Sequence, residues 1–210
     1  MHCPLCFTPS VIPYLKDKKR PYLQCSECDL VFVHPDFLPD VYTEKSEYDK
    51  HENSFEDEGY KNFLGKLLTP LSSHIKLGQK ALDFGCGPAA VLAKMLEEKG
   101  LQVDIYDPFY APFGEVLTKN FDIITCTEAI EHFHNPAKEW AMITAMLNPD
   151  GIVAIMTKRV IDKERFANWH YKNDPTHVSF FSDNTFAYLA QRDGFDIKFP
   201  SNDVVLMKKL

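Results

Sequence analysis

The chain has 210 residues, a formal net charge of −7 and a pI near 5.6. That is enough for one sizeable domain plus a small appendage, and too acidic to wrap a long polyanion, which asks for Lys and Arg in excess. Hydrophobic residues make up 45%, so a full core can form, yet no run of about 18 apolar residues occurs to span a membrane. The opening MHCPLC lacks the apolar stretch of a signal peptide, which predicts free thiols in a reducing cytoplasm.

Cys3-x2-Cys6 and Cys25-x2-Cys28 are separated by 18 residues. Each pair fits a tight knuckle, and four soft thiolates close a tetrahedral shell, so the spacing predicts a structural Zn²⁺ site. A redox CxxC opens a helix in a strand–helix unit, which neither pair does. YLQC and LVFV read as strands beside the second knuckle, giving a zinc ribbon over residues 1–36. So short a segment cannot build a core alone, and the metal is expected to supply its folding energy. Its middle, KDKKR (16–20), reads as a solvated hairpin tip, with contact to nucleic acid as the alternative.

Residues 37–78 read as a linker and helical cap. HPDFLPD marks the boundary, and Tyr60, Phe63, Leu64, Leu67, Leu68, Leu71 and Ile75 recur at helical spacing. Pro70 predicts a helix end near Thr69 and a second turn from Pro70 onward. Tyr48 and His51 precede the helix and are either a ligand cover or plain surface.

Residues 79–210 form the main domain. ALDFGCGPAA (81–90) follows a strand signal, and Pro88 suits the first turn of the helix it opens. Val91, Leu92, Met95 and Leu96 give that helix a buried face, and Gly100 stops it. LQVDIYD then reads as a second strand ending at Asp107, 22 residues after Gly85. This is a nucleotide-binding crossover, with Asp107 placed to accept from ribose hydroxyls. GCGPAA also satisfies the dinucleotide pattern. Asp83, two residues before the first glycine, would repel a pyrophosphate and suits an ammonium group.

DFGCG, FDIITCTEAIEHF and LNPDGIVAIMT, in that order, resemble the class I S-adenosylmethionine-dependent methyltransferases in the style of their small-molecule and quinone-type branch. The resemblance covers residues 79 to about 208. It implies an α/β fold with a doubly wound, mostly parallel Rossmann-like sheet of seven strands, GFDIKF and DVVLMKK forming the terminal antiparallel hairpin after the helix SDNTFAYLAQRD. It further implies that Gly85, Cys86 and Gly87 cradle the methionine part with Asp83 facing its amino group. Asp107 would hold the ribose, Pro108 and Phe109 would follow on the cofactor side, and Thr127 and Glu128 would lie near the sulfonium. The third glycine of the usual motif is Ala89. Only 13 residues, 108–120, separate Asp107 from the next strand, where the family fits a helix, a strand and another helix. A parallel crossover takes a dozen or more residues, so the third strand is expected to be reduced or missing, with Phe109 or Tyr110 either stacking on adenine or packing on the sheet.

Methyl transfer needs alignment, dryness and, for some acceptors, a base. EAIEHFHNP supplies Glu128, Glu131, His132 and His134 at the end of a strand, with Asn135 as N-cap of a helix whose buried stripe is Trp140, Ile143 and Leu147. Residues 158–181, containing WHYKNDPTH, are expected to cover the acceptor; Trp169 and Tyr171 would wall it. The candidate catalytic residues are His132, His170 and His177, against the alternative that His177 binds backbone and the aromatics only close the loop. A second metal on Glu131 and these histidines lacks ligand spacing in any one segment. The leading expectation is methyl transfer from S-adenosylmethionine to a small-molecule acceptor. Alternatives are an RNA-base methyltransferase gripping RNA through its ribbon and TKRVIDKERF, a cofactor-binding protein without turnover, and a nicotinamide-dependent oxidoreductase, against which Asp83 and the single nucleotide-binding half argue.

Overall fold

The computed structural model describes residues 1–50 and 54–210, so the expectation for His51 lies outside the described residues. Along the chain run β1 (Val11–Lys16), β2 (Pro21–Cys25), β3 (Val31–Val33), α1 (Val41–Tyr48), α2 (Glu58–Leu71), β4 (Lys80–Phe84), α3 (Val91–Glu97), β5 (Gln102–Tyr106) and β6 (Phe121–Thr127). Then come α4 (Pro136–Met146), β7 (Leu147–Met156), α5 (Lys163–Ala167), β8 (Ser179–Phe180), α6 (Asp183–Asp193), β9 (Phe195–Lys198) and β10 (Val204–Lys209). They gather into two compact units. One joins residues 1–50 with 130–140 and 158–193; the other takes the remaining described residues up to 129, then 141–157 and 194–210.

The first unit is built on an antiparallel sheet ordered β1-β2-β3-β8. The expected ribbon strands are β2 and β3, and the hairpin pairs Val11 with Cys25 and Lys16 with Pro21. The fourth strand comes from far along the chain, with Val31 opposite Phe180 and Phe32 opposite Ser179. Phe166 of α5 meets Tyr14, Tyr22 and Phe180 edge-on, with ring centroids 5.3, 5.1 and 5.2 Å apart. The ribbon therefore has a shared apolar core, in which Val31, Val33, Tyr171 and Val178 are also buried.

The second unit holds a six-stranded sheet ordered β5-β4-β6-β7-β10-β9 among the described residues, parallel up to β7 and antiparallel through β10 and β9. The terminal hairpin stands as expected. The third strand is missing from residues 108–120, which form a bridge from Asp107 to Ala111 and a 3-10 turn at Gly114–Thr118. Leu64, Leu67, Leu68 and Leu71 of α2 share a core with Val91, Leu92 and Leu96 of α3 and with Ala81, Ile123, Ala154 and Val204 of the strands. Two expectations need correction. The helix does not end at Thr69 but runs through Pro70 to Leu71. Proline's φ is helical, its missing N–H costs one bond in the last turn, and Leu71 stays fully buried. Pro88 is not in the first helical turn: α3 starts at Val91 after Ala90 at φ 45°, and Pro88 lies exposed in the preceding turn.

Candidate active site

The carboxyl ends of β4, β5 and β6 lie side by side in the second unit, Phe84 opposite Tyr106 and Asp83 opposite both Ile105 and Thr125. That edge collects Asp83, the glycine turn, Asp107 and Thr127–Glu128. Gly85 has φ +77°, and a β-carbon there would sit 2.5 Å from the Ala129 Cβ. Gly87 has φ +63°, and beyond its chain neighbours no atom of the described residues lies within 4 Å of a β-carbon position, so the space above it is open among them. Gly85 and Cys86 donate their N–H groups to the Tyr106 carbonyl at 2.8 and 3.3 Å. Asp107, 8% exposed, accepts from the Phe109 and Tyr110 N–H groups through Oδ1 (2.8 and 3.1 Å) and from the Gly87 N–H through Oδ2 (3.1 Å). One carboxylate thus ties the glycine turn to the shortened loop. Phe109 and Tyr110 are half-buried, their centroids 6.4 Å apart.

Asp83 is 3% exposed. Burial pushes it up to about 6, opposed by the Thr125 hydroxyl, which donates to Oδ1 at 2.8 Å, and by the backbone at Ala93; the charge of Asp107 adds to the rise. None of these groups is cationic. The Thr127 hydroxyl oxygen is buried without a hydrogen-bond partner among the described residues. Glu128 takes φ 47°, held there by its N–H donating to the Met156 carbonyl at 2.7 Å. Burial, with the charges of Asp83 and Asp107, pushes the Cys86 thiol up to about 12, so it is no nucleophile at neutral pH. Tyr60 of α2, whose phenol burial and the charges of Asp83 and Glu128 push up to about 12, is a neighbour of this edge. Its helical spacing marked it only as core.

In the first unit the four predicted ligands converge. Cys3 Sγ is 3.5 Å from Cys28 Sγ, Cys6 Sγ is 3.5 Å from Cys25 Sγ, and all four sulfurs lie within 4.8 Å of one another. A disulfide needs about 2.05 Å, whereas sulfurs about 2.3 Å from a tetrahedral zinc sit about 3.8 Å apart. The knuckles match: Leu5 donates to Cys3 Sγ and Glu27 to Cys25 Sγ, each at 3.4 Å, and Phe7 and Asp29, next after Cys6 and Cys28, take φ 60° and 63°. The donor set is compatible with zinc.

The same unit brings Glu131, His132 and His177 together, one ligand-type atom from each within 4.8 Å of the others. Glu131, 1% exposed, accepts a hydrogen bond from the Tyr171 hydroxyl. His132 Nδ1 lies 3.1 Å from the Thr176 carbonyl and His177 Nδ1 2.7 Å from the Tyr171 carbonyl. Carbonyls only accept, so both Nδ1 atoms carry a proton, and in the neutral imidazole each Nε2 keeps the lone pair. The two imidazoles are 4.7 Å apart, and Tyr48 stands edge-on to His132 at 5.1 Å. Burial lowers the His177 pKa, partly opposed by Glu131. His170 is exposed, with Nε2 3.2 Å from the Lys158 amine, and is not in this cluster. His134 pairs instead with the buried Glu44, Nε2 to Oε1 at 3.0 Å. Trp169 lies tilted on Tyr171 at 5.0 Å.

A family model described as a methyltransferase domain matches residues 56–198. The chain belongs to that methyltransferase family. Among curated relatives, the ubiquinone biosynthesis O-methyltransferase of Actinobacillus pleuropneumoniae serotype 5b is 30% identical over 107 residues, covering 38% of this chain and 46% of the relative. The one from Stutzerimonas stutzeri is 26% identical over 111 residues, covering 41% and 48%. The chain thus spans about half the length of these curated relatives. Among solved structures, the Burkholderia thailandensis 1,6-didemethyltoxoflavin-N1-methyltransferase aligns with TM-score 0.54 at 17% identity, over 94% of this chain and 98% of that one. The magnesium protoporphyrin IX methyltransferase of Synechocystis PCC 6803 aligns with TM-score 0.53 at 11% identity, over 72% and 84%. These likenesses agree with the class I methyltransferase fold.

Tyr171, expected to wall the acceptor, donates to Glu131; two other contributors to the first unit carried no signal as site residues, Glu44 as partner of His134, and Arg20. The last was read as part of a solvated tip, yet it is 6% exposed and donates to carbonyls of residues 172–177.

Proposed function

We propose that the chain transfers a methyl group from S-adenosylmethionine to a small organic acceptor, with Zn²⁺ held structurally by Cys3, Cys6, Cys25 and Cys28. Asp83 carries the reading. It is a carboxylate 3% exposed, pushed up to about 6 and without a cation beside it among the described residues, set beside a glycine turn. A methionine ammonium supplies the missing charge, whereas a pyrophosphate would add repulsion. The open space above Gly87 suits the rest of that moiety. Asp107 keeps lone pairs for ribose hydroxyls beyond the three N–H groups it accepts. The unpartnered Thr127 hydroxyl and the neighbouring Glu128 are the next groups toward the sulfonium, and Pro108 and Phe109 those toward the adenine.

The donor supplies an electrophilic methyl group on its sulfonium. The chain must then align the acceptor, keep out water and, for a hydroxyl or acidic carbon, take a proton. His177 and His132 fit the last task, since each has Nδ1 committed to a carbonyl and Nε2 able to accept. Burial keeps His177 neutral at pH 7, and the Glu131 charge stabilises the imidazolium once formed. The S-adenosylhomocysteine bound in the Burkholderia and Synechocystis structures, and the O-methylation named for the curated relatives, accord with this reading.

Calorimetry with S-adenosylhomocysteine and with NAD tests the cofactor; binding of NAD alone would sink the proposal. Incubation with S-adenosylmethionine carrying a labelled methyl, metabolite extract and total RNA tests the acceptor, with label expected in the small-molecule fraction. The RNA reading loses Arg20 of its basic tip, which is buried on carbonyls of residues 172–177.

A further inference from the structure

Arg20 meets more polar groups than a hairpin tip has reason to. Its Nη2 donates to the carbonyls of Lys172 (2.9 Å), Asp174 (2.7 Å) and His177 (2.8 Å), its Nη1 to that of Pro175 (2.8 Å) and its Nε to the Tyr22 hydroxyl (3.1 Å). Four carbonyls of one short loop turn inward onto one guanidinium. Without a cation there, their negative ends would face one another in a buried space with donors missing, a costly arrangement. The loop conformation is thus conditional on Arg20. Only a flat fork of five N–H groups reaches all these acceptors; a lysine ammonium is a point with three.

Two further ties run between the same partners. Lys172 Nζ sits 2.8 Å from Asp17 Oδ2, while Asp17 Oδ1 accepts the N–H groups of Lys19 and Arg20 at 2.8 and 2.9 Å. Lys19 Nζ donates to the Asn173 carbonyl at 3.1 Å. On the loop's far side, the Val178 N–H donates to the Glu131 carbonyl (2.8 Å), the Ser179 hydroxyl to the Phe133 carbonyl (2.7 Å), and His132 Nδ1 to the Thr176 carbonyl (3.1 Å). Residues 176–180 therefore lie between the ribbon, through the β3–β8 pairing, and residues 131–133. His177 has its carbonyl on Arg20 and its Nδ1 on the Tyr171 carbonyl, so the aim of its ring depends on how the 171–177 loop is held. At the other end of the same hairpin, β2 closes on Cys25, one of the four clustered cysteines.

We propose that Arg20 is a positioning residue: the cysteine-anchored hairpin uses it to hold residues 171–177 so that His177 faces His132 and Glu131, which makes the ribbon the mount of the acceptor-side base rather than a separate binding module. The kinetic part rests on the base function proposed above. The structural part does not, because imidazole titration needs no turnover. The groups facing His177 are Glu131, His132, Asp174 and Tyr171.

The test takes the full, zinc-loaded chain with Arg20→Met, Arg20→Lys and, as milder lesions, Lys172→Met and Asp17→Asn. The imidazole titrations of His132 and His177 are followed by NMR, with S-adenosylhomocysteine affinity alongside and, once an acceptor is in hand, kcat and its pH profile. In Arg20→Met and Arg20→Lys alike, the His177 titration is expected to move toward that of a solvent-exposed imidazole. kcat should fall tenfold or more with its pH profile displaced, and cofactor affinity should stay within twofold. Chelating the metal should move the same imidazole signal. Should Arg20→Met fail to fold, Lys172→Met and Asp17→Asn decide by the same titration. An unchanged His177 titration in the folded variants, or full rescue by Arg20→Lys, overturns the proposal. A moved titration in a protein that turns over no acceptor leaves the mount standing and removes the base function instead.

Discussion

The two compact units differ in how far apart along the chain their partners lie. In the second unit the proposed cofactor edge is nearly local: Asp83, Gly85 and Gly87 fall within five residues, and Asp107 closes the same crossover. In the first unit several contacts join segments far apart along the chain. Arg20 reaches residues 172–177, β3 pairs with β8, and Tyr171 meets Glu131. Local partners let a short motif specify a site. Distant partners need an anchor, and here the four cysteines and the Phe166 cluster provide it.

Metal removal should separate the units most sharply. Cys25→Ser, or chelation under reducing conditions, withdraws a binding energy on the order of 10 kcal/mol for a structural zinc site. Near-ultraviolet circular dichroism from Tyr14, Tyr22 and Trp169 should collapse, while S-adenosylhomocysteine affinity, measured by calorimetry, falls less than tenfold. Loss of both signals together would erase the contrast between the units.

The next largest effect belongs to the second unit. Asp83→Asn removes the charge proposed to meet the cofactor ammonium and should weaken S-adenosylhomocysteine binding roughly a hundredfold, in line with about 2–5 kcal/mol for truncating one partner of a buried charge pair. The ligand-free protein should melt no lower than wild type. The folded pKa of about 6 lies above the ordinary aspartate value of 3.8. The folded state therefore holds an extra proton between these values, and the ionised group costs stability progressively as pH rises through that window. Affinity has the opposite sign: the wild-type dissociation constant should rise as pH falls below about 6, and Asp83→Asn should flatten that dependence. A variant that keeps both its affinity and its pH profile removes Asp83 from the site.

Tyr171→Phe acts on the first unit without touching the cysteines. Glu131 loses a hydrogen bond to a charged group, a change of about 1.5–3 kcal/mol. Thermal unfolding should record the drop, and a variant as stable as wild type would show that Glu131 draws little from this phenol.

What was legible in the sequence follows the same division. The four cysteines, the glycine turn, the shortened 108–120 segment and the terminal hairpin were all readable, because spacing, turn chemistry and chain length act over a few residues. Asp17-Lys18-Lys19-Arg20 was not. A charge run at a hairpin tip looks the same whether its side chains meet water or the carbonyls of a loop 150 residues on, and only the fold tells them apart. The segment WHYKNDPTH suffered likewise. Both of its histidines read as candidate bases, with backbone binding as the alternative for His177; His177 is buried with its Nδ1 on a carbonyl while His170 is exposed beside Lys158. What separates them is the bonding of residues 176–180 to β3 and to residues 131–133, a long-range event that no local pattern records. Pro70 misled in the opposite way: a strong local stop was overruled by burial of Leu67, Leu68 and Leu71.

The smallest effect probes the local side from within. Gly85 and Gly87 both take positive φ, but a methyl at Gly85 meets the Ala129 Cβ at 2.5 Å whereas one at Gly87 meets nothing within 4 Å. Gly87→Ala should therefore cost only the backbone penalty, about 1 kcal/mol. Gly85→Ala adds overpacking of about 1–3 kcal/mol, because the Ala129 methyl is fixed to backbone and cannot swing aside. Cofactor binding should reverse the order of harm. The room above Gly87 is what a ligand would fill, so Gly87→Ala should lose more S-adenosylhomocysteine affinity per unit of stability lost than Gly85→Ala does. Paired melting and calorimetry on the two variants measure that ratio. If affinity simply follows stability in both, the glycine turn is required for folding alone, and the space over Gly87 is not where the cofactor lies.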